Sequence, residues 1–258
     1  MTEEKKYPIS EIFTSPQGEG LYAGTLMTFI RLAGCSVGKP FPKERYIGIE
    51  TFKKLDNPNT PVSEGIEELK EKGYLPIYTE QCTLYDGRTF ECDTDYRVKQ
   101  RMTLREIRSQ VPENIPRICI TGGEPLIHDL SDLVDEFPDK GIHLETSGTK
   151  PLPGWLVGEI DDSHVWLTVS PKQGVLRDVV EEANELKFLV DENFNEQKAQ
   201  EIIDWVEDFT NPTCLIWIQP VNYEHTVNVD NMKRCIELQK KYPLVRISNQ
   251  SHKLWGVR

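Results

Sequence analysis

The chain has 258 residues, of which 38% are hydrophobic and 28% are charged, and its formal net charge is −12 at pH 7. This composition is typical of a folded globular protein and excludes a largely disordered chain. The acidic balance argues against non-specific nucleic-acid binding, because phosphate backbones favour clustered Lys and Arg. We therefore expect no nucleic-acid partner.

The amino terminus, residues 1–6, is charged and is not followed by the apolar segment of a signal peptide. No apolar run reaches the ~20 residues that a membrane-spanning helix needs, so we expect no membrane partner and a cytoplasmic protein. Thiols stay reduced in the cytosol. The six cysteines are therefore better explained by metal or cluster ligation than by disulfides.

Apolar runs of strand length alternate with helical patterns along most of the chain. After a strand-like stretch at residues 9–13, strands are predicted at Met27–Leu32, Arg117–Ile120, Ile142–Glu145, Val165–Val169, Glu185–Val190, Leu215–Ile218 and Leu244–Ile247. Helices are predicted at Leu104–Val111, around Leu130 to Val134, at Gln197–Val206 and at Val229–Lys241, the first with Thr103 and Glu106 as a capping box. This alternation predicts parallel pairing, and hence an α/β fold: a partial, TIM-like (β/α)6 barrel in one domain, residues 1–258.

Residues 36–81 interrupt the alternation. They contain five prolines and one short helical pattern, Ser63–Lys72. Structureless loops of this length are uncommon in compact domains. We interpret the segment as an insertion after the first barrel strand.

Polar residues follow the predicted barrel strands at the point where each strand ends. They are Cys35 after the first strand, Thr121 to Pro125 after the second, Glu145 to Ser147 after the third, Ser170 to Lys172 after the fourth, and Gln219 and Pro220 after the sixth. In α/β folds the carboxyl ends of parallel strands open on one face, where active sites are built. The sequence therefore predicts that these groups converge on one site.

Three cysteines are candidate cluster ligands. Residues 36–81 separate Cys35 from Cys82, and residues 83–91 separate Cys82 from Cys92. This spacing alone fits both buried structural cysteines and metal ligands. The strand end before Cys35 and the polar loop after Cys92 favour ligation. Cys119, Cys214 and Cys235 instead lie in apolar or helical runs, which favours a place in the core.

Two glycine-containing segments allow two interpretations each. Residues 122–125, Gly-Gly-Glu-Pro, fit a tight turn, or a loop where Thr121 and Glu124 recognise an amino group and a planar base. Residues 17–20, Gln-Gly-Glu-Gly, fit a hairpin turn, or two side chains that read the edge of a heterocycle.

Taken in order, these motifs resemble one enzyme family. The motifs are QGEG at residues 17–20, FIRLAGC at 29–35, CDTDY at 92–96, TGGEPL at 121–126, ETSGT at 145–149, SPK at 170–172 and HK at 252–253. Together they resemble the 7-carboxy-7-deazaguanine synthases, which are radical S-adenosylmethionine enzymes. The resemblance covers nearly the whole chain except the insertion.

The resemblance implies three cofactors. They are a [4Fe-4S] cluster on Cys35, Cys82 and Cys92, S-adenosylmethionine, and Mg²⁺ on the hydroxyl of Thr94. Both cysteine intervals are longer than the family pattern, and Cys82 is the only cysteine between the other two. The implied S-adenosylmethionine contacts are Gly123, Glu124, Ser147, Ser170, Pro171, Lys172 and Gln219.

The implied reaction converts 6-carboxy-5,6,7,8-tetrahydropterin to 7-carboxy-7-deazaguanine with loss of ammonia, a step of 7-deazapurine (queuosine-type) biosynthesis. The implied substrate residues are Pro16, Gln17, Gly18, Glu19, Arg31, Thr121, His252 and Arg258. Gln17 and Glu19 suit the amide and amidine edge of a pterin, and Arg31 suits its carboxylate. The family's terminal carboxylate usually belongs to proline, whereas this chain ends in arginine. The resemblance also implies a flavodoxin or ferredoxin as electron donor, and a homodimer.

Alternative interpretations follow from the same residues. A glycyl-radical activating enzyme shares the cluster and the Gly-Gly-Glu-Pro loop, but it acts on a protein and has no use for a pterin site. A zinc-stabilised binding protein would use the same cysteines with Asp93 or a histidine. Arg31 also fits a surface cation, His252 a solvated side chain, and Lys187 either an inward or a surface position; Lys187 is not among the predicted site residues.

Overall fold

The computed structural model of the chain describes residues 4–38, 80–92, 94–95, 97–160, 164–208, 213–222 and 226–256. Its strands are β1 Tyr7–Pro16, β2 Leu26–Leu32, β3 Glu80–Thr83, β4 Thr89–Cys92, β5 Gln100–Met102, β6 Arg117–Gly122, β7 Gly141–Thr146, β8 Val165–Val169, β9 Glu185–Val190, β10 Leu215–Pro220 and β11 Arg246–Ile247. Its α-helices are α1 Leu104–Gln110, α2 Ser131–Asp135, α3 Gly154–Val157, α4 Arg177–Glu181, α5 Glu196–Glu207, α6 Val229–Lys241 and α7 Ser251–Trp255. None of these helices combines the length and the apolar character needed to cross a bilayer.

One nine-stranded sheet organises the described residues, with strand order β11-β10-β9-β8-β7-β6-β2-β1-β5. From β2 to β11 neighbouring strands are parallel, whereas β1 pairs antiparallel with β2 and with β5. Strands β3 and β4 form a separate two-stranded sheet. The predicted α/β fold with a partial, unclosed barrel is thus confirmed for the described part of the chain.

Most of the predicted elements are present with small changes in their ends. β8, β9 and α6 have the predicted bounds, and Thr103 caps α1 through a reciprocal hydrogen-bond pair with Glu106. The predicted strand Leu244–Ile247 is reduced to the two residues of β11, because Leu244 lies in solvent instead of in the sheet. The predicted helix Ser63–Lys72 and most of the insertion lie outside the described residues, and the one-domain organisation stays a prediction.

The core lies between the parallel strands and the helices that cover one face of the sheet. Alternate residues of the strands, such as Ile120, Leu144, Leu167 and Phe188, join α-helical residues in one apolar cluster. Cys235 is fully buried in this cluster, and Cys214 is only partly buried against it. Cys119 is also fully buried, but in a smaller cluster with Met27 and Phe29. The opposite face of the same strands is therefore free to carry polar side chains.

Replacement of Leu133 by alanine tests this layer. Leu133 on α2 is 0% exposed and belongs to the main cluster, whereas Leu244 is 85% exposed. Leu133→Ala should reduce the free energy of unfolding by about 2–5 kcal/mol, because it leaves a cavity in the core. The matched Leu244→Ala should change it by less than about 0.5 kcal/mol. Urea denaturation of both variants measures the difference, and equal values would contradict the assignment of this layer.

Candidate active site

The face of the sheet opposite the helical layer carries polar side chains contributed by successive strands. They are Arg31 on β2, Thr121 on β6, Glu145 on β7, Thr168 on β8, Lys187 on β9 and Gln219 on β10. Arg31 pairs with Thr121, and Glu145 with Thr168, in the strand register. Because side chains alternate between faces, these residues share the face that the apolar cluster leaves uncovered.

A buried ion-pair network occupies this face. Lys187 Nζ lies 2.7 Å from Glu19 Oε2 and 3.5 Å from Glu145 Oε1. Gln17 Nε2 donates to Glu145 Oε1 at 3.1 Å, and Thr121 Oγ1 donates to Glu145 Oε2 at 3.4 Å. The predicted substrate residues Gln17, Glu19 and Thr121 are thus held in one network by Glu145 and Lys187.

The charges in this network support one another. Burial alone would raise the pKa of Glu19, but the Lys187 ammonium outweighs burial and lowers that pKa to about 2, with His252 and Gln250 acting in the same direction. Burial alone would lower the pKa of Lys187, but Glu145 and Glu19 outweigh it and raise that pKa above its ordinary value. Lys187 likewise lowers the pKa of Glu145 against the effect of burial. All three groups are therefore charged at neutral pH.

Two amides contact the carboxylate oxygen of Glu19 that Lys187 does not bind. Gln219 Nε2 and Gln250 Nε2 both donate to Glu19 Oε1, at 3.0 and 3.1 Å. Among the described residues, Gln219 Oε1 is buried without a hydrogen-bond partner. A buried acceptor of this kind is ready to receive a hydrogen bond from a ligand.

Helix α7 lies against the loop that carries Gly18. Ser251 N donates to the carbonyl of Gly18 at 3.0 Å, and a side chain at Gly18 would collide with the His252 ring. Gly18 is therefore required by the close approach of His252. The structure thus brings the predicted residues Gly18 and His252 together, while Arg258 lies outside the described residues.

Glu185 fixes the backbone of the loop that carries Gln17 and Glu19. Its Oε2 accepts hydrogen bonds from Leu21 N at 3.0 Å and from Trp217 Nε1 at 2.8 Å, and its Oε1 accepts one from Thr168 Oγ1 at 2.8 Å. Gly20 has a φ of +68° and lies so close to Glu185 that no side chain would fit there. The turn is thus preformed by a carboxylate on β9.

Arg31 lies at the edge of the network. Its Nε donates to Glu11 Oε1 at 2.8 Å, and its guanidinium lies 5.9 Å from the centre of the Phe13 ring. Arg31 is partly buried beside Thr121, so it occupies the site face rather than the outer surface. Pro16 ends β1 opposite Leu26, at the start of the loop that holds Gln17.

The three candidate cluster cysteines lie at one end of this face. Cys35 Sγ accepts backbone N–H groups of Val37 and Gly38 at 3.4 and 3.2 Å. Burial raises the pKa of the Cys82 thiol to about 11; Lys172 opposes this, and the charges of Cys92 and Cys35 add to it. The three thiols are therefore close enough to influence one another.

Among the described residues, no group of three His, Cys, Asp or Glu side chains is arranged so that it could hold a metal ion. The donor set nevertheless fits a cluster with three protein ligands: three thiols near one another, backbone N–H groups directed at one sulfur, and a lysine close to two of them. A fourth cysteine would not be needed, because such a cluster leaves one iron open.

Two of the predicted S-adenosylmethionine residues, Gly123 and Lys172, lie near these thiols. Gly123 packs so closely on Gly34 and Cys35 that a side chain there would collide with both. Lys172 Nζ donates to the carbonyl and to the hydroxyl of Ser170, each at 2.9 Å, and Pro171 between them is buried. Burial lowers the pKa of Lys172, and Cys82 and Cys92 oppose that shift.

The Glu124 carboxylate binds groups of the chain itself, whereas its motif suggested recognition of an amino group on a ligand. It is completely buried, and its carboxylate accepts hydrogen bonds from Leu126 N, Thr146 Oγ1, Ser147 N and Ser147 Oγ. All of these donors belong to the chain itself. Glu124 therefore connects the loop after β6 to the loop after β7 and fixes Ser147.

Thr94 is half-buried in the loop after β4, and this loop is held against β1 by the hydrogen bond from Ser10 Oγ to the carbonyl of Asp95, 2.6 Å long. Three further residues lie in the site: Glu145, which was expected there only as a polar residue at a strand end and without a role, and Lys187 and Gln250, which were not among the predicted site residues. A signal for two of them is present in the sequence, because a charge within an apolar parallel strand must face a polar interior. Gln250 has no such signal.

The chain was also compared with known proteins. No family model matches the sequence. A protein of Synechocystis sp. named 7-carboxy-7-deazaguanine synthase is 30% identical, and the match covers 98% of this chain and 94% of that protein. Proteins of the same name from Escherichia coli and Hyperthermus butylicus are each 29% identical, over 98% and 90% of this chain and 99% and 83% of theirs.

A solved structure agrees with these relatives. The crystal structure of QueE from Escherichia coli superposes with a TM-score of 0.54 at 25% identity, covering 95% of this chain and 93% of that one. The sequence match and the structural match therefore both extend over almost the whole chain. The chain belongs to the 7-carboxy-7-deazaguanine synthase family.

Proposed function

We propose that this protein is a radical S-adenosylmethionine lyase that converts 6-carboxy-5,6,7,8-tetrahydropterin to 7-carboxy-7-deazaguanine with release of ammonia. The observation that carries the proposal is the convergence of Gln17, Glu19 and Thr121 on one polar network beside three cysteines. The membership of the family supports the same reaction.

The proposed polar contacts follow from the chemistry of a carboxylated pterin. The pterin presents an amide, an amidine and a carboxylate, and it needs acceptors and donors in fixed positions. Glu19, held ionised by Lys187, would accept from the amidine N–H groups, and Gln17 would pair with the amide edge. The guanidinium of Arg31 would bind the carboxylate, and Thr121 and His252 would complete the pocket.

The cofactor groups are assigned to the loops at the carboxyl ends of the strands. Cys35, Cys82 and Cys92 would hold a [4Fe-4S] cluster, and the hydroxyl of Thr94 would ligate Mg²⁺ near the substrate carboxylate. S-adenosylmethionine would be contacted by Gly123, Ser147, Ser170, Pro171, Lys172 and Gln219, while the buried Glu124 would hold Ser147 in place. When bound, the cluster and S-adenosylmethionine supply a 5′-deoxyadenosyl radical, which removes hydrogen from the substrate.

Electron supply and assembly are inferred from family likeness alone. The proposed electron donor is a flavodoxin or a ferredoxin, and the proposed assembly is a homodimer. Queuosine-type 7-deazapurine biosynthesis is the proposed context of the product.

The reaction can be tested directly. Protein reconstituted without oxygen should convert the carboxytetrahydropterin to 7-carboxy-7-deazaguanine in the presence of S-adenosylmethionine, a reductant and Mg²⁺, measured by mass spectrometry.

Cys35→Ala, Cys82→Ala and Cys92→Ala should each abolish the product and the visible absorbance of the cluster. Cys235→Ala, which removes a buried thiol of the main core cluster, should stay active and lose about 1 kcal/mol of stability. A wild-type protein with a full cluster and no product would refute the proposed reaction.

Replacement of Lys187 by methionine tests its part in substrate binding. Without the ammonium, Glu19 loses the group that keeps it ionised and in place. We expect KM for the carboxypterin to rise about tenfold to a hundredfold, with a smaller change in kcat, because a charge-assisted contact contributes about 1.5–3 kcal/mol. The control, Lys240→Met on α6, removes an exposed ion pair with Glu237 and should leave both constants unchanged. An unchanged KM in Lys187→Met would exclude this role.

The Glu19–Lys187 pair also predicts a pH dependence of stability. The pKa of Glu19 is lowered from 4.5 to about 2 in the folded protein, so the stabilisation is present above pH 4.5 and is lost as the pH falls towards 2. Glu19→Gln should reduce the free energy of unfolding by about 2 kcal/mol at pH 7. This difference from wild type should shrink progressively in denaturation curves recorded between pH 5 and pH 2.

A matched surface variant controls for general effects of acid. Glu237 pairs with Lys240 in solvent, so Glu237→Gln should differ from wild type by less than about 0.5 kcal/mol at every pH. A difference for Glu19→Gln that stays constant from pH 7 to pH 2 would mean that the pair does not hold the Glu19 carboxylate ionised.

A further inference from the structure

The interval between Cys82 and Cys92 is a β-hairpin. Strands β3 and β4 pair antiparallel, with Cys82 opposite Phe90. The turn is closed by the hydrogen bonds from Leu84 N to the carbonyl of Arg88 at 2.8 Å and from Gly87 N to the carbonyl of Leu84 at 3.0 Å. The long second interval is therefore an ordered element instead of an extended loop.

The register of this hairpin places the two cysteines on one face. Cross-strand partners share a face, and residues two apart on one strand share a face, so Cys82, Phe90 and Cys92 point the same way. Cys82 and Cys92 are diagonal neighbours, whose separation is about 7–8 Å between Cα atoms and somewhat less between Cβ atoms. A hairpin of fixed register thus presents two sulfurs as a pair.

A buried ionic network anchors the turn of the hairpin to the barrel. Arg88 is only 8% exposed, and its guanidinium donates to Asp86 Oδ2 at 2.7 Å, to Asp191 Oδ1 at 2.6 Å and to the carbonyl of Leu189 at 3.0 Å. Asp86 also accepts from Lys198 Nζ at 3.1 Å. Two cations and two carboxylates balance, so the network joins the hairpin to the end of β9 and to α5 without a residual charge.

Aromatic packing and backbone pairing support the same position. The Tyr85 ring packs on Phe188 and Trp205, with ring centres 5.3 and 6.1 Å apart. Gln173 N donates to the carbonyl of Thr83 at 3.0 Å, next to Lys172. The hairpin is thus fixed at its turn and along one edge.

From this geometry we infer that Arg88 is a positioning residue for the iron-sulfur cluster, acting through Asp86 and Asp191 on the hairpin that carries Cys82 and Cys92. The inference rests on the proposed function, since it takes these two cysteines as cluster ligands. A buried ionic network adds little net stability, but it specifies one arrangement, because any shift would leave buried charges without partners. A hairpin that supplies two thiolates to one cluster needs this kind of fixed geometry.

The test measures how long the cluster is retained. Wild type, Arg88→Met and Arg88→Lys are reconstituted without oxygen, and iron and acid-labile sulfide per chain are measured during incubation with a chelator. Arg88→Lys keeps the positive charge but removes the planar guanidinium that binds both carboxylates. If Arg88→Met does not fold, the result for Arg88→Lys decides the question. Both variants should lose iron about tenfold faster than wild type, as is typical when a residue that supports metal ligands is removed. The electron paramagnetic resonance spectrum of the reduced cluster should change as well.

Arg108 offers a matched control. Its guanidinium binds Asp139 at 3.0 Å and the carbonyl of Glu136 at 2.9 Å and lies 5.0 Å from the Phe137 ring centre, and none of these partners belongs to the hairpin. Arg108→Met should lower the melting temperature of the apoprotein without changing the rate of iron loss. Wild-type rates of iron loss in the Arg88 variants would overturn the inference while leaving the proposed function intact. Full cluster content in Cys82→Ala or Cys92→Ala would instead overturn the ligand assignment and the inference with it.

Discussion

Parallel pairing of β2 and β6 to β10 is the constraint on which the site depends. Parallel strands joined by helices place their carboxyl ends at one edge, and strict alternation of side chains gives each strand one apolar and one inward face. The apolar face binds the helical layer. The inward face is therefore one place where charged side chains from distant parts of the chain meet with low exposure to water.

The electrostatics of that face explain why the ion-pair network is stable there. One ammonium, Lys187, lies between two carboxylates, Glu19 and Glu145, and each group keeps the others charged. Burying any one of them alone would be costly. The network leaves one negative charge in excess among these three groups, which suits a ligand with an amidine edge.

The cysteine hairpin illustrates how this chain accommodates a longer interval between two proposed cluster ligands. Extra residues between Cys82 and Cys92 would add conformational freedom to these two proposed ligands, which a shared cluster would require to lie together. In this chain the additional length is used for a register-defined hairpin, and Arg88 ties its turn to β9 and α5. The residues of the longer interval therefore include the contacts that hold the hairpin against the barrel.

The amino-acid sequence by itself determined the class of fold, most strands, the caps of α1 and the motifs of the family, because these depend on local periodicity and on contiguous residues. It also placed Gln17, Glu19 and Thr121 in one site, through their similarity to the family. Glu145 was expected at the site as a polar residue at a strand end, whereas Lys187 carried a weaker signal, a charge in an apolar strand. Only the tertiary structure decided three contacts. Gln250 donates a hydrogen bond to Glu19, the Glu124 carboxylate accepts hydrogen bonds from the loop after β7, and Arg88 binds the turn of the hairpin to Asp191. These contacts join residues far apart in sequence, and no local pattern specifies which partner a buried polar group will find.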